Sequence, residues 1–105
     1  MAAVEITDNG AQVSAQVGDE IRVRVPENAT TAYLWEVTEI GDSLELLSSE
    51  HSPPGRPGES APGAQGERIF LLRATTPGDA TLQLAKSRPW ESTPVERFSA
   101  RVVVR

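Results

Sequence analysis

Ile21-Arg22-Val23-Arg24-Val25 alternates β-branched and charged side chains with a period of two, between Gly18-Asp19 and Pro26. Only an extended chain puts all the apolar side chains on one face and both arginines on the other, so the stretch reads as a half-buried strand. The same pattern recurs along the chain. Tyr33, Trp35 and Val37 alternate with Leu34, Glu36 and Thr38, and Leu44-Glu45-Leu46-Leu47 follows the turn Gly41-Asp42. Further strands read at Glu67 to Ala74, at Ala80 to Lys86 behind the turn Thr76-Pro77-Gly78-Asp79, and at Arg97 to Val104. Val4 to Thr7 and Gln12 to Gln16 add two shorter candidates, and Asp8-Asn9-Gly10 between them predicts a hairpin. No segment carries a convincing helical period. Seven to eight short strands at this spacing predict an all-β, antiparallel sandwich or barrel. Its expected core is Val13, Ile21, Val23, Val25, Trp35, Val37, Leu46, Phe70, Leu72, Leu82, Leu84, Phe98, Val102 and Val104.

With 105 residues the chain fits one domain, 1–105, large enough to bury a real core. It has no cysteine, which removes disulfides, thiolate chemistry and cysteine-rich metal sites. A formal charge of -5 with nine scattered arginines and one lysine argues against nucleic acid or an anionic membrane as partner. No apolar run approaches the ~20 residues of a membrane helix, and Met1 to Glu5 does not resemble a signal peptide. The chain as it stands therefore reads as cytoplasmic and monomeric, unless a leader once preceded it. Ser49 to Gly66 breaks the strand pattern: it holds four of the eight glycines and four of the eight prolines, and no aromatic, Leu, Ile or Val. Such a segment predicts a long exposed loop inside the domain, of the kind that is either functional or disordered.

For catalysis the inventory is thin. His51 is the only histidine, and with Ser48, Ser49 and Ser52 beside it on a Pro/Gly-rich segment it reads as a solvated loop residue, not as the base of a nucleophile. Glu36, Glu39 and Asp42 fit a solvated strand face. Gly63-Ala64-Gln65-Gly66 precedes a strand rather than a helix, the wrong setting for a phosphate cradle. Asn28-Ala29-Thr30 matches a glycosylation acceptor, a pattern that chance produces often. Nothing here implies a cofactor or a metal. For binding the inventory is better. Trp35 sits mid-strand and belongs to the core, whereas Trp90 follows Arg88-Pro89 in a stretch without alternation, and Trp with Arg on a loop is the composition of interface hot spots.

Three segments, in this order, resemble the chagasin family of cysteine protease inhibitors: Asn28-Ala29-Thr30-Thr31-Ala32-Tyr33-Leu34-Trp35, Gly63-Ala64-Gln65-Gly66 before Phe70, and Arg88-Pro89-Trp90. The resemblance extends from about Gly18 to Val104. It implies an immunoglobulin-like β-sandwich that presents three loops from one end as a wedge. By similarity the first loop lies over a catalytic cysteine, the second runs along the non-primed side of the cleft, and the third packs Trp90 on an aromatic wall of the primed side. Two positions depart from the family pattern: Ala29 stands where proline is usual and Ala32 where glycine is usual. Both changes are expected to weaken binding, since proline narrows the free ensemble and glycine permits a positive φ. The resemblance thus implies a reversible inhibitor of papain-like cysteine peptidases, not an enzyme, with Asn28, Thr30, Thr31, Ala32, Gly63, Gly66, Arg88, Pro89 and Trp90 at the interface. The alternative is a module of the same fold that has lost this activity and binds another protein or a polymer through the same loops.

Overall fold

The computed structural model describes residues 3–28, 31–52 and 66–105. Its elements are β1 (Ala3–Ile6), β2 (Ala11–Ala15), β3 (Glu20–Glu27), β4 (Leu34–Glu39), β5 (Leu44–Ser52), β6 (Gly66–Ala74), β7 (Gly78–Ser87) and β8 (Glu96–Val104). They form two four-stranded sheets, ordered β1-β3-β6-β5 and β2-β8-β7-β4. Alternation explains why the sheets face one another. Ile21, Val23 and Val25 of β3 and Phe70 and Leu72 of β6 point inward from the first sheet, and meet Leu82, Leu84, Phe98 and Val102 of the second. Trp35 lies at 3% exposure in the same core, edge-on to Phe98 with centroids 6.4 Å apart.

Three expectations need correction. Asp8-Asn9-Gly10 does turn the chain, with Gly10 at a φ of 83° and Ala11 N–H donating to Asp8 O at 3.2 Å. It does not close a hairpin. Gly10 N–H donates to Ser99 O and Asn9 Oδ1 accepts from Ser99 N–H, so the turn docks on β8 and passes the chain from one sheet to the other. β1 then pairs in parallel with β3, and β2 in parallel with β8, which makes the sheets mixed rather than wholly antiparallel.

Leu46 was expected in the core and is 42% exposed. It sits on β5, where the register against β6 shifts between Leu46 and Ser48, and which is an edge strand among the described residues. Val13 and Val37 are half-buried against the core, and Ile6, Leu44 and the alanines at 15, 74, 80 and 100 complete it. Finally, β5 runs on through Ser49 to Ser52, paired with Phe70 to Glu67, and Gly66 already belongs to β6. The expected loop is shorter at both ends, and residues 53–65 lie outside the described residues.

Candidate functional site

Register alone gathers one set of strand ends. Glu27, the last residue of β3, pairs with Gly66, the first of β6. Ser52 at the end of β5 pairs with Glu67, Leu34 at the start of β4 pairs with Ser87 at the end of β7, and Lys86 pairs with Glu96 at the start of β8. The connections after β3, β5 and β7 therefore leave from the same end of the sandwich. Asn28, Thr31 and Ala32 stand in the first, and Arg88, Pro89 and Trp90 in the third. Thr30 and Gly63 lie outside the described residues.

The first connection is folded on itself. Thr31 donates to Asn28 O twice, from its N–H at 3.2 Å and from Oγ1 at 2.9 Å, and Tyr33 N–H reaches Thr31 Oγ1 at 3.4 Å. Ala32 has a φ of 64°, the left-handed conformation that usually falls to glycine. The alanine that stands where the family pattern has glycine thus carries a left-handed backbone, which adds strain to the turn. At its far end Trp35 is pinned by its indole N–H, which donates to Pro26 O at 2.8 Å.

The third connection braces the first. Arg88 donates from Nε to Thr31 O at 3.2 Å, and its guanidinium lies 4.1 Å from the Tyr33 ring centroid and 5.7 Å from that of Trp90. A planar cation between two aromatic faces is held by quadrupole attraction as well as by the hydrogen bond. Glu91 N–H donates to Arg88 O and Val95 N–H to Lys86 O, which closes the excursion at both of its ends. Trp90 projects from this frame at 69% exposure. It does not fold back to cap the sandwich. An exposed tryptophan beside an arginine has the composition of interface hot spots.

Beneath the turns lies a group that the sequence reading missed. The inward row of β3, Ile21, Val23 and Val25, continues by the same period of two to Glu27, which is fully buried. On β6 the inward row Leu72 and Phe70 continues to Arg68. The two meet: Arg68 Nη2 lies 2.9 Å from Glu27 Oε1, and its Nε donates to both carboxylate oxygens at 3.1 and 3.2 Å. Oε2 also accepts the Trp35 N–H at 2.8 Å, and Oε1 lies 2.8 Å from His51 Nδ1. An ionised carboxylate can only accept, so Nδ1 carries the proton. Burial pushes the Glu27 carboxyl up, but the bonds from Arg68, Trp35 and His51 outweigh it and hold the group below the usual carboxylate range.

His51 is therefore not a solvated loop residue but a half-buried one on β5, in the strand stretch that the proline-rich composition downstream obscured. Gly66 is also buried, and a Cβ there would overlap Ser52 O and come 2.9 Å from His51 Nε2. Its missing side chain makes room inside the fold. Among the described residues no cluster of His, Asp and Glu could hold a metal ion.

The family model described as "Chagasin family peptidase inhibitor I42" matches residues 14–102. Chagasin of Trypanosoma cruzi is 26% identical over 98 residues, which span 87% of this chain and 86% of chagasin. Among solved structures, the cysteine protease inhibitor EhICP2 of Entamoeba histolytica superposes with a TM-score of 0.85 at 26% identity, over 100% of this chain and 97% of that one. The Leishmania mexicana inhibitor ICP gives 0.66 at 27% identity, over 93% of this chain and 90% of its own.

Proposed function

Because the chain belongs to the chagasin family of peptidase inhibitors, and so acts by reversible inhibition of cysteine peptidases rather than by catalysis, we propose that its targets are papain-like and that the loop end of the sandwich fills their cleft. The observation that carries this reading is the pairing of a closed turn at Asn28 to Tyr33 with an exposed Trp90, joined by the Arg88 guanidinium. A turn tied to its own backbone presents main chain to a cleft at little further ordering cost. Trp90 supplies the large apolar contact beside it. In this reading Asn28, Thr31 and Ala32, with Thr30 from the sequence, lie over the catalytic cysteine, and Pro89 and Trp90 take one side. Gly63 takes the other, with Gly66 closing the base of its segment. Arg88 does more than touch the partner: it sets where Thr31 and Trp90 stand relative to each other.

Alanine at residue 90 tests the assignment. Trp90→Ala is expected to weaken papain inhibition by on the order of 2 kcal/mol, about thirtyfold, as a hot spot does. The melting temperature should stay within a degree or two, because the ring is 69% exposed and buries little within the fold. Arg88→Ala should lose a similar amount of affinity. If both variants inhibit as well as the parent, the loop end described here is not the interface.

A further inference from the structure

We propose that Glu27, with His51 and Arg68, is the positioning group that fixes the turn Asn28 to Tyr33 against the ends of β5 and β6, and that inhibition depends on it; this rests on the inhibitory reading above. One side chain reaches every element concerned. Glu27 opens the turn, and its Oε2 holds the N–H of Trp35, just past the turn's other end, so a single carboxylate spans both flanks of the excursion. Its Oε1 holds His51 of β5 and Arg68 of β6. His51 in turn packs its Nε2 edge over Gly66, where no Cβ can fit. The place of Thr31 relative to Ser52 and Gly66 is thus set by directed bonds at one point.

These side chains act through others. Glu27 is 0% exposed, and the Arg68 and His51 side chains are 16% and 23% exposed, so they offer a partner almost no area. Nor is stability a reason for these residue types in particular. Apolar side chains of like size commonly replace a buried ion pair without loss. Apolar packing is non-directional, whereas an ionised carboxylate accepts along about four defined directions, and here these are taken by Trp35, Arg68 and His51. Loops that must enter one cleft together need that definition.

His51 is the gentlest point at which to test it. In His51→Ala the bond to Glu27 is lost; in His51→Gln the side-chain amide can still donate. We expect His51→Ala to weaken papain inhibition about tenfold, the scale of one hydrogen bond to a charged group. His51→Gln should recover to within about threefold of the parent, with all chains assayed well below their unfolding transitions. A second readout needs no peptidase. Amide hydrogen exchange at Thr31, Tyr33 and Trp35 should quicken in His51→Ala while that at Leu82 and Leu84 is unchanged, which marks a local opening rather than global loss of stability. If the parent does not inhibit papain-like enzymes, the functional reading fails and exchange alone decides the positioning role. The proposal is overturned if exchange in His51→Ala rises uniformly or not at all. It is also overturned if inhibition and exchange in His51→Gln match those of His51→Ala.

Discussion

Ala32 carries a left-handed backbone at a φ of 64°, and its consequence differs from the one read off the sequence. A family pattern with glycine there suggests that alanine weakens binding. That holds only if the free turn avoids the left-handed region and must enter it on binding. The free turn already occupies it, so the strain is common to both states and cancels from the affinity. It does not cancel from folding, where a left-handed alanine costs roughly 1–2 kcal/mol and glycine gives back ~0.5–1 through its freer unfolded chain. Ala32→Gly is therefore expected to stabilise the fold by about 0.5–1 kcal/mol, a rise of a few degrees in melting temperature, with the inhibition constant within twofold of the parent. Thermal unfolding and a papain titration of the same sample check it. A large gain in affinity without a gain in stability would show that the free turn is not left-handed at residue 32.

Among the elements, β3 and β6 hold a titratable device whose sign can be worked out. The bonds to Glu27 place its folded pKa below the unfolded value, so the stability it contributes is fully present above the ordinary glutamate range and is lost as pH falls through the folded pKa. Parent and Glu27→Gln should differ in stability most at neutral pH, begin to converge as pH falls through about 4, where the unfolded carboxyl takes up its proton, and meet only below the depressed folded pKa. Urea unfolding at several pH values measures this; a constant difference from pH 7 to pH 3 would contradict it. The device was legible in principle. Continuing the inward row of β3 by one more period lands on Glu27, and continuing that of β6 lands on Arg68. What hid it was composition, since a charged residue beyond Pro26 reads as the strand's end and His51 sits next to a proline-rich run. The strands themselves were legible because alternation is local. The parallel pairings of β1 and β2 were not: Asp8-Asn9-Gly10 specifies a turn, and only Ser99 on distant β8 decides which way the chain goes after it. In the same way Trp90 could be placed on a loop from its neighbours, but the stacking of Arg88 on Tyr33 follows from the β4–β7 register, which no local signal carries.

Taken whole, the molecule is a two-sheet sandwich with one of its ends assigned to the partner. Its lack of cysteine matters for any assay, because the reductant that keeps a thiol peptidase active cannot touch the inhibitor's own fold. An interface of standard size, roughly 800 Å² per partner, can support nanomolar affinity, about -12 kcal/mol, when its contacts are preorganised. The most direct measurement is a titration of active papain with the purified protein under reducing conditions, followed by dilution and by analysis of both chains for cleavage. The account predicts stoichiometric loss of activity that returns on dilution, with the inhibitor uncut and with trypsin and thermolysin unaffected in parallel. Full papain activity at micromolar inhibitor, or loss of activity accompanied by cleavage of the chain at its loop end, would contradict it.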